Sequence, residues 1–295
     1  MNKELLYQNK KIFYRITGSG NPVILVHGFG EDGSIWNNQA EWPPQTPPQE
    51  GLTNTQSQLI ENSLFKGIQF IIPDLPGSGQ SEMIDDMSIE GMAEVIHAII
   101  HEENIDACPV IGHSMGGYIV LALVESYWNH VSAFGLFHST SYPDSEEKRS
   151  VRRKGIDFIN KHGAFEFLKN TIPNLFSQKT RDENPELITE FIAGLDNFSA
   201  PALVSYYEAM IQRPDRTEIL QKSTVAVLFI MGKYDNAIPL EDGLQQCHLP
   251  EKSYIYILRN SGHLGMLEEK EKSNEILDKF LLETYPKGSF ERSNF

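Results

Sequence analysis

The segment Gly112-His113-Ser114-Met115-Gly116 sets one serine between two glycines, where an apolar run, Val110 to Gly112, gives way to a helical pattern beginning near Met115. That strand-turn-helix setting is what a nucleophile elbow requires. Gly112 and Gly116 remove side chains that would collide across the tight turn, so Ser114 can hold a strained backbone with its Oγ pointing out. A glycine-rich helix N-cap, with Ser114 satisfying backbone N–H groups, is the structural alternative. A hydroxyl is a weak nucleophile at neutral pH and needs a base, which in turn needs an orienting group. Two candidates follow strand-like runs: Asp235 in Gly232-Lys233-Tyr234-Asp235, and His263 in Arg259-Asn260-Ser261-Gly262-His263. In open α/β sheets functional groups gather at the carboxyl ends of strands, so Ser114, Asp235 and His263 are expected on one rim.

The remaining chemistry-bearing residues read more plainly. His27 and His113 flank the rim and suit structural hydrogen bonds. His138 ends the run Val131 to Phe137 and is expected to line a pocket at the same rim. His97 and His101 share a helix face at a spacing that suits metal ligation, but no acidic motif accompanies them, and a solvated or capping pair is the preferred reading. Glu146-Glu147-Lys148-Arg149 and Arg152-Arg153-Lys154 read as a charged solvent face. Cys108 and Cys247 make no disulfide framework and are read as reduced. No metal and no cofactor are expected.

These groups need a scaffold. Leu5 to Tyr7 and Lys11 to Ile16 alternate apolar and polar residues across Gln8-Asn9-Lys10, which predicts a β-hairpin. Six continuous apolar runs follow: Pro22 to Gly28, Ile68 to Asp74, Ala107 to Ser114, Val131 to Ser139, Val225 to Gly232 and Ser253 to Leu258. Runs of this kind suit strands buried on both faces of a parallel sheet. Helical patterns at Ser88 to Glu103, Met115 to Trp128 and Leu264 to Glu283 alternate with them, which argues for a doubly wound α/β sheet. Asn37 to Lys66 carries two Pro-Pro pairs and reads as a surface excursion. Residues 140–222 show helical patterns around Ser145 to Lys161, Pro185 to Leu195 and Ala200 to Gln212 with no strand signal, and read as a helical cap. The core is therefore expected over residues 1–139 and 223–295.

Forty acidic against twenty-five basic residues in 295 give a net charge of -15. That charge opposes binding to phosphate backbones and anionic lipid, so neither nucleic acid nor membrane is an expected partner. The N-terminus lacks the apolar core of a signal peptide, and no stretch approaches the ~20 apolar residues of a membrane span. Cytoplasmic residence is the expectation.

Five segments together resemble the α/β-hydrolase fold superfamily, in its capped serine esterase and lactonase-like branch: His27-Gly28-Phe29-Gly30, Pro73 to Ser81, Gly112 to Gly117, Gly232 to Asp235 with Ile238-Pro239, and Ser261-Gly262-His263. The chain order Ser114, Asp235, His263 is also that of these hydrolases. The excursion after Trp36 is longer than the corresponding connection in typical members. The resemblance implies a catalytic triad of Ser114, Asp235 and His263, an oxyanion hole from the backbone N–H groups of Phe29 and Met115, and a loop-stabilising role for Asp74.

The expected activity is serine hydrolysis of a small, mainly apolar carboxylic ester or lactone through an acyl-enzyme. The cap is rich in aromatic residues, and Phe165 and Tyr206, with His138, are expected to line an apolar pocket beneath it. The acidic balance favours a neutral substrate over an anionic one. Thioester hydrolysis, C–C bond hydrolysis and perhydrolysis use the same triad. A ligand-binding or regulatory protein on this fold is the reading from a different class.

Overall fold

Each of the six apolar runs forms a strand, and together they make the parallel part of one sheet. The computed structural model describes residues 1–40 and 64–285. Its strands are β1 (Asn2–Tyr7), β2 (Lys10–Gly18), β3 (Asn21–Val26), β4 (Ile68–Pro73), β5 (Cys108–His113), β6 (Val131–Phe137), β7 (Ala226–Gly232) and β8 (Ser253–Leu258). They lie in the order β1-β2-β4-β3-β5-β6-β7-β8. β1 and β2 form the expected hairpin, longer at both ends, and β2 runs antiparallel to β4. Gln8 and Asn9 both have positive φ, 49° and 64°, as a tight hairpin turn matched to strand twist requires.

Every residue of β5 and of β7 is buried, which is why both read as unbroken apolar runs. β8 is an edge strand and leaves Ile255 and Ile257 over 40% exposed. The helices are α1 (Asn37–Ala40), α2 (Ile89–Glu102), α3 (Met115–Tyr127), α4 (Glu146–His162), α5 (Ala164–Thr171), α6 (Gln178–Glu183), α7 (Pro185–Ala193), α8 (Ala200–Gln212), α9 (Thr217–Gln221), α10 (Leu240–Gln246), α11 (Gly265–Glu268) and α12 (Lys270–Thr284). The single helix expected over Leu264 to Glu283 is two, broken at Glu269. That residue's backbone leaves the helical region, with φ -130° and ψ 55°, and its carboxylate accepts from the N–H of Asn260 and the hydroxyl of Ser261.

Helices α4 to α9 follow one another between β6 and β7 with no strand among them. Of the expected surface excursion, α1 and a 3-10 turn at Leu64–Gly67 belong to the described residues; residues 41–63 lie outside them. Among the described residues no helix is long and apolar enough to cross a membrane. Both cysteines are free and buried, and burial pushes the Cys108 thiol up to about 12.

Chain direction around the sheet selects the site. β3 has β4 on one side and β5 on the other, so the strand order reverses there and a crevice opens past their carboxyl ends. The register pairs Val26 with Gly112, which sets the His27-Gly28-Phe29 turn level with Ser114.

Candidate active site

Ser114 stands between β5 and α3 with φ 50° and ψ -117°, and its side chain makes no capping hydrogen bond. The N-cap alternative therefore does not describe this hydroxyl. Holding a non-glycine residue there costs on the order of 1–3 kcal/mol, a strain that clusters at functional sites. Gly112 and Gly116 make the turn possible. A Cβ on Gly112 would sit 2.3 Å from the Gly116 carbonyl carbon, and one on Gly116 would sit 2.5 Å from the Val26 oxygen. Met115 is the first residue of α3, so its N–H has no intrahelical acceptor. Its side chain is fully buried.

Asp235 follows β7 as expected, and four donors surround its carboxylate. Oδ1 accepts the N–H groups of Ala237 at 2.9 Å and Ile238 at 2.8 Å, while Oδ2 accepts His263 Nδ1 at 2.8 Å. His138 Nδ1 lies 3.1 Å from the same Oδ2, off the line of a good hydrogen bond. Burial alone would raise the Asp235 pKa, but His263 and His138 outweigh it and hold the carboxyl far below its usual range. An ionised carboxylate only accepts, so Nδ1 of His263 carries the proton and Nε2 is left as the basic atom.

His138 itself is fully buried and lowered to about 4, chiefly by burial. Its Nε2 accepts the Gly265 N–H, which puts its proton on Nδ1, toward Asp235. The structure thus sets His138 behind the carboxylate and not against the cavity expected for it.

A second buried pair lies under the serine. Glu31 accepts the N–H of Gly28 at 2.7 Å and His113 Nδ1 at 2.9 Å, and His113 Nε2 donates to the carbonyl of His263 at 2.9 Å. Burial penalises both charges, yet their mutual attraction prevails: Glu31 is lowered and His113 raised. His113 has the structural role expected of it, whereas Glu31 is unforeseen. A lone acid in the glycine-rich, apolar Gly28-Phe29-Gly30 turn was the only available signal. His27 likewise ties its own turn to the loop after β4, accepting from the N–H of Leu75. Asp74 accepts from Gly33 and Gln80 and so holds its loop.

Ser114 and His263 open on one cavity of about 140 Å³. From the sheet side it is walled by Phe29, Tyr118 and Ile238, and from the inserted helices by Thr171, Ile172, Leu175, Tyr207 and Met210. Larger hollows of about 330 and 490 Å³ contain neither Ser114 nor His263. Phe29 stacks on Tyr207, centroids 4.4 Å apart and planes within 6°. Tyr206, named from sequence, is turned the other way, fully buried with its hydroxyl on the Pro76 carbonyl. Phe165 lies on the outside of its helix, 36% exposed. Neighbouring residues on a helix face directions about 100° apart, so Tyr207 takes the place expected of Tyr206.

Ala237, Arg152 and Glu31 complete the wall. Arg152 is not on the solvent face that the charge run suggested. Its Nε and Nη2 bond Asp144, which is fully buried and also pairs with Arg213 Nη1 at 2.9 Å. Burial opposes these charges, and the ion pairing overcomes it, keeping Asp144 below and Arg152 above their ordinary values. Two guanidinium groups on one carboxylate leave net positive charge beside the cavity.

A metal could find donors at His138, Asp235 and His263, whose atoms lie within 4.8 Å of one another. Those donors already engage each other, as described.

The model of the Alpha/beta hydrolase family matches residues 23–275. Curated relatives include a 3-oxoadipate enol-lactonase from Acinetobacter baylyi, 22% identical over 93% of this chain and 94% of its own. A 2-hydroxy-6-oxononadienedioate/2-hydroxy-6-oxononatrienedioate hydrolase from Pseudomonas putida is 23% identical over 92% of this chain and 91% of its own. Among solved structures, a thermophilic esterase from Thermogutta terrifontis superposes with a TM-score of 0.82 at 23% identity, covering 97% of this chain and all of that one. The enol-lactonase from Burkholderia xenovorans gives 0.81 at 18% identity over 95% of this chain and all of its own. With more than three-quarters of its length matched by the family model, and with the strand order that positions this site, the chain belongs to the α/β-hydrolase family.

Proposed function

We propose that the protein is a serine hydrolase that cleaves a small carboxylic ester or lactone through an acyl-enzyme on Ser114, with helices α4 to α9 as its cap. The observation that carries this reading is the uncapped, strained Ser114 opening on the same cavity as a histidine whose far nitrogen is held by an ionised aspartate. Ser114 Oγ attacks the carbonyl carbon while His263 Nε2 takes its proton. The carbonyl electron pair moves to oxygen, where the N–H groups of Phe29 and Met115 are the donors. The intermediate collapses as His263 returns the proton to the leaving oxygen. Water then repeats the sequence on the acyl carbon, and Ser114 is released with its proton restored.

The cavity fixes the size of the reacting end. At about 140 Å³ it falls below the ~300–1,000 Å³ of sites that enclose drug-sized ligands, and suits a group about as large as benzene. Its walls are mostly apolar. Glu31 and Arg152 are the charged exceptions. Glu31 is engaged by His113 and the Gly28 N–H, whereas Nη1 of Arg152 has no hydrogen-bond partner among the described residues, so it can bond an anionic group at the far end of the substrate. The two curated relatives, named for a 3-oxoadipate enol-lactone and for a dioate, act on organic acids, which agrees with this. The acidic surface that favoured a neutral substrate is therefore overridden locally.

The test compares aryl acetate with the aryl monoester of a dicarboxylic acid. Arg152→Gln is expected to raise KM for the anionic ester about tenfold or more, the worth of one charge-assisted hydrogen bond, and to leave the neutral ester within about twofold. Asp144 keeps Arg213, so the fold is retained. Equal losses on both esters would remove the anion-binding role. Thioesters and 1,5-dicarbonyl compounds in the same panel separate ester and lactone hydrolysis from the thioesterase and C–C hydrolase alternatives.

A further inference from the structure

Away from the cavity, at the opposite end of β6, three histidines converge. β6 has seven residues, about 23 Å of strand at ~3.3 Å each, and His130 precedes it while His138 follows. His97 and His101 stand one turn apart on α2; His130 belongs to the 3-10 turn Trp128–His130 after α3. Their ring centroids are 4.5 Å (His97–His101), 5.2 Å (His97–His130) and 5.4 Å (His101–His130) apart. One nitrogen from each lies within 4.8 Å of the others. Three imidazoles on one tetrahedral ion, at Zn–N of about 2.0–2.1 Å, place their ring centroids roughly 5 Å apart.

Two independent details give the cluster direction. His97 Nε2 is shielded from water and has no hydrogen-bond partner, an orphan that needs a reason in a folded chain. His130 Nδ1 lies 2.8 Å from the carbonyl of Asp106. A carbonyl only accepts, so that nitrogen carries the proton and Nε2 presents a lone pair, which is how a metal-binding histidine is ordinarily fixed. The His97 ring is further held by stacking on Tyr127, whose hydroxyl donates to Glu94 at 2.6 Å. Spacing on α2 alone favoured a solvated pair; the third ring, brought by a separate element, changes that balance.

We propose that His97, His101 and His130 form a binding site for one borderline divalent transition ion, with Zn²⁺ as the representative, the fourth position being left to water beside exposed His101. Imidazole ligands suit such ions, whereas Mg²⁺ and Ca²⁺ require oxygen donors. The ion would tie the second half of α2 to the turn that enters β6, and so favour the folded state by mass action.

The experiment is isothermal titration of tag-free full-length protein with ZnCl₂, read together with Tm and ester turnover. One equivalent per chain is expected, with a Tm rise of roughly 3 °C or more at 100-fold excess over Kd. His101→Gln and His130→Gln are each expected to weaken binding about tenfold or more and to leave turnover in metal-free buffer unchanged. His101 is exposed, so that variant cannot fail by unfolding. His263→Gln is expected to bind Zn²⁺ as the wild type does. Absence of saturable binding up to about 1 mM Zn²⁺ would overturn the proposal. So would binding that survives His101→Gln and His130→Gln but is lost in His263→Gln, since the ion would then sit at the triad.

Discussion

Ser114→Ala is expected to lower kcat toward an aryl ester by roughly 10⁴-fold or more, with KM changed little, because the nucleophile is lost while the cavity walls remain. The residual rate over water would come from the oxyanion donors and from binding alone. Stability should barely move: the Ser114 side chain makes no capping hydrogen bond, and alanine meets the same backbone strain at φ 50° as serine does. A Tm within about 2 °C of wild type combined with lost turnover is therefore the signature of a chemical role. Retained turnover would remove Ser114 from the mechanism.

Glu31→Ala should produce the largest loss of stability, about 3–5 kcal/mol by denaturant unfolding, because it strips the partner from a buried charge. Glu31 is 3% and His113 0% exposed, so solvent cannot compensate either one. The pair also joins three parts of the site, since Glu31 holds the Gly28 N–H and His113 holds the His263 carbonyl. The pH dependence has a definite sign. Glu31 is lowered on folding, so its contribution is present above about 4.5 and is lost as pH falls through the depressed value. His113 is raised, so its contribution is complete below about 6.5 and is lost as pH rises through the elevated value. The gap in stability between wild type and Glu31→Ala should be widest between these two pH values and narrow on either side. A gap that stays flat from acid to alkaline pH would mean that the pair is not ionised.

Much of this scaffold was legible in the chain. A strand covered on both faces must be apolar throughout, which is why Cys108–His113 and Ala226–Gly232 could be found by inspection. Residues that follow such strands fall on one rim, so the sequence alone pairs Asp235 with His263, 28 positions apart and 2.8 Å in contact. What escaped was set by tertiary contact. Arg152 lies in a run of charges that reads as solvated, and only Asp144 and the fold of the insertion turn it inward. Glu31 and His113 are 82 residues apart, and nothing local links them. His130 joins His97 and His101 only because α2 packs on α3. Tyr206 and Tyr207 are adjacent tyrosines, and local composition does not say which faces the cavity. Short helices such as Gln178–Glu183 and Thr217–Gln221 hold too few turns to show a period.

The central claim is that Ser114 is a nucleophile activated by the His263–Asp235 pair. Titration with a fluorophosphonate, followed by peptide mass mapping, tests it most directly, because that electrophile reacts irreversibly with an activated serine. The account predicts one phosphonyl group per chain, located on Ser114, with ester turnover lost in proportion to labelling and no labelling in Ser114→Ala. Turnover that persists in fully labelled protein, or a label carried by another residue while activity disappears, would contradict it.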